Sequence, residues 1–199
     1  MFNFFARTNG NSKEKEEYES YRWFVTSSGK IVIGGKNAEQ NEQVMRNIKK
    51  EDVIMHTSTP GSPFCIIKKP NKKDLEEVAI FTACFSHEWK KGKKNSYVHM
   101  FKGEQVIKKR AMKTGTFGIM GSVDTKKAEM KLALDIQRGK LRAVPVSAAK
   151  KKLAVITPGK MTKIEATNKI MKILRDKYHY PASKEEIMSA IPSGNIGVK

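Results

Sequence analysis

Apolar and polar positions change period several times along the chain. "YRWFV" and "KIVIGG" are β-rich runs on either side of "TSSGK", a hairpin signal. In "AEQNEQVMRNIK", Val44, Met45 and Ile48 return at helical spacing. "DVIMHTS" and "SPFCIIKK" read as strands joined by the turn signal "TPG". "NKKDLEEVAIFTACFSHEW" is the strongest helix of the first half. Asn71 suits its N-cap, and Asp74 lies in the first turn, where a negative charge is favoured. Leu75, Val78, Ala79, Thr82, Ala83 and Ser86 form one stripe, while Ile80, Phe81, Cys84 and Phe85 fill much of the other side. This helix is therefore expected to be buried on several faces.

Short strands follow in "SYVHMF", "EQVIKK" and "TGTFGIM". In "EMKLALDIQRGKLRAVPV", Met130, Leu132, Leu134 and Ile136 alternate with polar or small residues, and Arg138-Gly139 makes a tight turn. "LAVITPG" adds one more strand. Thr162 and Glu165 form a capping box ahead of Ile170, Ile173 and Leu174, and Ser183 with Glu186 forms a second. The pattern predicts an α+β fold with a mostly antiparallel sheet and few helices. Residues 1–19 read as a flexible polar lead-in, 20–127 as a core, and 128–199 as an extension of hairpin, strand and two helices.

Charge changes the picture most. The chain of 199 residues has 39 Lys+Arg against 20 Asp+Glu, a net of +19, which calls for a polyanionic partner. Hydrophobic content of 39% supports a real core and argues against wholesale disorder. No apolar run approaches the ~18 residues of a membrane span, and no basic amphipathic helix with a bulky apolar face stands apart. No membrane partner is expected. The N-terminus lacks a long apolar region, and Cys65 and Cys84 sit inside apolar runs. They read as two buried free thiols of a cytoplasmic protein.

Lysines and arginines gather in five clusters, at 90–94, 108–110, 126–127, 138–142 and 150–152. They lie at turns or strand ends without evident compensating acids. No zinc finger, RNP1 signature, GXXG clamp or basic zipper is present, so phosphates and shape are the expected contacts.

Enzyme chemistry has less support. His56, His87, His99 and His179 show no i, i+4 pairing, and there is no CxxC, so no metal and no cofactor is expected. "TPGSP" around Ser62 is not a nucleophile elbow. Asp52, Asp74, Glu76 and Glu77 are accounted for by caps and solvated faces. A rival reading makes the chain an RNA-modifying or processing enzyme that uses His56 with Asp52 or Ser62. "GGKNAEQN" fits neither a P-loop nor a dinucleotide loop. It leaves Lys36 beside a helix N-terminus that could receive an anion, or glycines that merely permit a bend.

Several stretches together resemble one family. "YRWFVTSSGKIVIGGKNAEQNE", "DVIMHTSTPGSPFCIIKKP", "LEEVAIFTACFSHEWKKGK", "QVIKKRAMKTGTFGIMG" and "ITPGK" occur in the order expected of the NFACT-R domain. This is the RNA-binding module of the NFACT proteins of ribosome-associated quality control. The resemblance covers residues 20–199, without the NFACT-N domain and coiled coil that precede the module in long members. It implies a standalone module that binds tRNA or large-subunit rRNA, with the ribosome as a further partner; an alternative role lies in tRNA modification. Departures include "HTS" at 56–58 for an acidic "HAD", and His87 for a basic residue. The expected RNA-contacting residues are Lys36, Lys68, Lys90, Lys93, Lys108, Lys109 and Arg110. Asn37, Gln40 and Asn41 are expected beside the glycine turn, with Arg22, His56 and Trp89 completing the set.

Overall fold

The structure, a computed structural model, describes residues 17–199. Two antiparallel sheets share one hydrophobic core with a helix between them. The first sheet takes β1 (Arg22–Val25), β2 (Ile31–Gly34), β3 (Val53–Thr57), β4 (Cys65–Ile67), β5 (Asn95–Lys102) and β8 (Asp124–Glu129), in the order β1-β2-β4-β3-β5-β8. The second takes β9 (Leu132–Gln137), β10 (Lys140–Pro145), β11 (Ala154–Met161) and β12 (Ile196–Val198), in the order β10-β9-β11-β12. A small ribbon of β6 (Val106–Ile107) and β7 (Gly118–Ile119) stands apart. Helix α1 (Ala38–Arg46) packs beside β2, α2 (Lys72–Cys84) lies between the sheets, and the short α3 (His87–Lys90) follows it. Helices α4 (Lys163–Tyr178) and α5 (Lys184–Ala190) cover the second sheet.

Helix α2 behaves as its double stripe demands. Val78, Ala79, Phe81, Thr82, Ala83 and Cys84 are all buried, and the helix touches strands of both sheets. Its start is a capping box: the Asp74 N–H donates to Asn71 Oδ1 and the Asn71 N–H to Asp74 Oδ2, each at 2.9 Å. Asp74 does more than cap. It is fully buried, and it also accepts from Ser28 Oγ at 2.6 Å and Lys30 Nζ at 2.9 Å, tying the β1–β2 hairpin to the helix. Burial works to raise its pKa, yet the bonds from Ser28, Asn71 and Lys30 prevail and hold it at about 2. Glu77 is buried as well, accepting from the Ser27 N–H and from Ser147 Oγ, both at 2.9 Å. Solvated faces therefore do not account for these two carboxylates. Their partners lie 44 to 70 residues away in sequence.

The β9–β10 hairpin turns at Arg138 and Gly139 with φ of 51° and 73°, the positive pair that a two-residue turn requires. Simple alternation fails along β9, because Asp135 and Gln137 are buried beside Leu132 and Leu134. Gln137 explains itself: its Oε1 accepts from the Val25 N–H at 2.7 Å and its Nε2 donates to the Val25 carbonyl at 2.9 Å. One side chain thus bridges the two sheets at the outer edge of β1. Asp135 accepts from the Lys150 and Lys151 N–H groups and fixes the loop after β10.

Other differences are local. The sequence showed no strand at β8 or β12; both depend on partners far along the chain, β5 and β11. Only half of the second capping box forms. Ser183 accepts from the Glu186 N–H, but the Glu186 carboxylate accepts from Tyr180 Oη at 2.9 Å. Glu17–Ser20, which straddle the expected boundary between lead-in and core, form a 3-10 turn that buries Tyr18 against Trp23. The remainder of that lead-in lies outside the described residues. Cys65 and Cys84 are free and buried; burial pushes Cys65 up to about 12 and Cys84 well above its ordinary value, so neither thiol is a nucleophile.

Candidate nucleic-acid interface

One end of the first sheet opens into a cleft of about 700 Å³. Its wall comes from the turn after β2, the β3–β4 loop, the start of α3 and the loop before β7. Ser193, from the loop ahead of β12, completes it. Arg22, Lys36 and Lys90 bring positive charge to the lining, and among the described residues no Asp or Glu lines it. His56, His87 and His99 also face it. His56 and His99 are direct cross-strand partners in β3 and β5, so their side chains share a face. Among the described residues no group of His, Cys, Asp and Glu converges to hold a metal ion.

The loop that forms the floor is held by its own polar groups. Ser62 Oγ accepts from the Thr57 N–H at 3.0 Å and donates to the Pro63 carbonyl at 3.2 Å. Ser62 is thus a turn residue, as expected. His56 donates from Nδ1 to the Thr57 carbonyl at 2.7 Å and stacks on Phe64 with ring centroids 4.3 Å apart. Burial lowers its pKa, so the ring is neutral at pH 7. Asp52 is buried and accepts from the Lys49 N–H at 2.8 Å, away from the cleft. A His56 dyad with Asp52 or Ser62 is not assembled.

The polar residues of the glycine turn are structural. Asn37 accepts from the Gln40 N–H as the N-cap of α1, and Gln40 Oε1 accepts from the Lys36 N–H. Asn41 accepts from the Phe64 N–H at 3.2 Å and fastens α1 to the β3–β4 loop. The glycines themselves do not adopt positive φ. What they need is room. A Cβ on Gly35 would sit 2.3 Å from Asn41 Oδ1 and 2.5 Å from the Asn41 backbone nitrogen.

The predicted cations divide into three sets. Arg22, Lys36 and Lys90 face the cleft. Lys108 is a strut: its Nζ donates to Glu42 at 2.8 Å, to the carbonyls of Lys113 and Thr116, and lies 4.7 Å from the Phe117 ring centroid. That ammonium holds Glu42 below the usual carboxylate range. Lys91 and Lys93 both pair with the largely buried Glu88, at 3.0 and 2.5 Å. Lys68, Lys109 and Arg110 lie outside the cleft, the last two exposed on the loop after β6. Trp89 requires a correction. It is 0% exposed in the core between the sheets, so its indole cannot stack on a base.

The 138–142 cluster turns inward as well. Arg138 donates to Tyr18 Oη, Lys140 pairs with Glu19, and Arg142 lies over the Trp23 ring at 4.2 Å. Several clusters thus do have compensating partners, contributed by acids distant in sequence. Sequence reasoning also missed His87, His99 and Phe117 as cleft residues. The "HTSTPGSPF" stretch signalled only the loop from His56 to Phe64, a run of small polar residues entered through a histidine and left through a phenylalanine; His87, His99 and Phe117 reach the cleft from other elements.

A family profile described as NFACT protein RNA binding domain matches residues 20–121. The chain belongs to the NFACT RNA-binding domain family. Every strand of the first sheet except β8, and every wall of the cleft except Ser193, lies within that span. An archaeal Rqc2 homolog, aRqcH of Methanocaldococcus jannaschii, is 28% identical over 94% of this chain and 30% of its own length. The ribosome quality control complex subunit NEMF of Homo sapiens is 30% identical over 36% of this chain and 7% of its own. The chain therefore spans under a third of the length of these relatives. The C-terminal part of a fibronectin/fibrinogen-binding protein from Streptococcus suis shares the fold. The match has a TM-score of 0.51 at 20% identity and covers 59% of this chain and 48% of that one.

Proposed function

We propose that this NFACT RNA-binding domain is a non-catalytic module that binds tRNA or large-subunit rRNA. Its role would lie in ribosome quality control, beside ribosomes in the cytosol. The observation that carries the reading is the cleft itself: Arg22, Lys36 and Lys90 converge on it, and among the described residues no carboxylate joins its lining. Three cations around a concave wall attract an extended polyanion, and phosphates supply the bulk of such affinity. The family description names RNA, and the animal relative is named as a ribosome quality control complex subunit. Lys109, Arg110 and Lys127 are exposed as well. No described helix is long and apolar enough to cross a membrane.

The test is a salt titration of binding to a labelled tRNA and to a structured large-subunit rRNA fragment, read by fluorescence anisotropy. Log affinity should fall linearly with log salt, with a slope of about −0.7 to −0.9 per phosphate neutralised. A flat titration with both RNAs would refute the reading.

A further inference from the structure

The cleft has two chemically different ends, and the sheet keeps them apart. Arg22 shares a strand face with Phe24, towards α2. His56 and Phe64 share the opposite face with Ile54 and Ile66. The turn after β2 and the β3–β4 loop pass between the two over the strand ends. Because β1 and β3 lie three strand spacings apart, the ends are separated by roughly 14 Å of sheet.

At the first end the Arg22 guanidinium lies 4.4 Å from the centroid of the Phe85 ring. It is half-buried, and among the described residues no carboxylate or carbonyl accepts from it. Burial lowers its pKa to about 10, and Arg142 adds repulsion. Lys163 feels the same cation. A desolvated guanidinium without an acceptor is costly to keep. It is also a planar fork suited to phosphate oxygens. At the second end a neutral His56 ring backs onto Phe64, and Phe117 meets Phe64 edge-on at 5.3 Å. Uncharged planar rings stack on any base.

We propose that the cleft seats a short unpaired stretch of RNA, with a backbone phosphate forked on Arg22 and a base further along the strand stacked at His56. This rests on the cleft being the RNA site. It goes beyond phosphate contact by naming the ligand as single-stranded. A base locked in a duplex stack has no free face for His56, and a cleft of about 700 Å³ has the size of a small-ligand pocket.

The experiment uses a six-nucleotide single strand containing 2-aminopurine and a blunt duplex of the same sequence, at one salt concentration. The single strand should bind at least about tenfold tighter, with quenched 2-aminopurine emission. His56→Ala should abolish the quench and weaken binding by about five- to a hundredfold. Arg22→Gln should keep the quench and reduce the salt slope by about one. A melting curve for each variant confirms folding, and Lys90→Gln, at an exposed site, should reproduce the reduced slope if Arg22→Gln does not fold. Equal binding of strand and duplex, with emission indifferent to His56→Ala, would overturn the single-strand seat and leave the RNA reading intact. An unchanged slope in the folded cation variants would overturn the phosphate position. Absence of salt-dependent binding to either probe, and to structured RNA, would remove both readings together.

Discussion

Arg22 and Arg138 each lie against an aromatic ring, at 4.4 Å from Phe85 and 5.3 Å from Tyr18. Their surroundings differ. Arg138 also donates to the Tyr18 hydroxyl, and its neighbour Lys140 is paired with Glu19. Arg22 opens onto the cleft and has no such acceptor among the described residues. The 138–142 hairpin spends its cations on holding the 3-10 turn against the second sheet. The sheet end keeps the Arg22 guanidinium for an anion from outside. A net charge of +19 therefore overstates what a polyanion can reach, and the surface sorts into struts and seats.

This division can be broken most severely at a strut. Asp74→Ala strips Lys30 of its partner, undoes the capping box and leaves the Ser28 hydroxyl unmatched. It should cost about 3–5 kcal/mol in urea denaturation. The sign of the pH dependence follows from a depressed folded pKa. The stability due to Asp74 is complete above the ordinary value of 3.8 and is lost as pH falls through about 2. Whatever fraction of Asp74→Ala remains folded should bind RNA like the parent protein.

At the seats the expectation inverts. The double variant Lys36→Gln/Lys90→Gln should lower the salt slope of RNA binding by about two while stability stays within about 0.5 kcal/mol, since both residues are exposed. A double variant that melted early but bound RNA normally would reverse the assignment. The smallest effect belongs to Lys140→Ala. Its ion pair with Glu19 is partly exposed, so a loss of under about 1 kcal/mol with unchanged RNA affinity is expected.

Much of the scaffold was legible because its signals are local. Asn71 and Asp74 announce the start of α2, Thr162 and Glu165 that of α4, and Arg138-Gly139 the β9–β10 turn, each within four residues. Strand β8 was not legible, since "DTKKAE" has no apolar alternation and is a strand only because β5 offers it a ladder. The cleft was half legible. Lys36 and Lys90 stand out by charge, and His56 by its place at the end of a strand. Whether a cation is available depends on acids elsewhere: Lys108 meets Glu42 across 66 residues, and Lys140 meets Glu19 across 121. Trp89 beside "KKGKK" misled for the same reason, because a tryptophan in a basic stretch reads alike whether it faces water or the core.

The Gln137 amide has a consequence for how this chain comes to be folded. The outward N–H and C=O of Val25 in β1 wait for a side chain 112 residues later. During synthesis that edge strand stands open until residue 137 has emerged, a long loop to close. Until then it is a template on which another strand could add. The end of β9 thus seals the outer edge of the first strand.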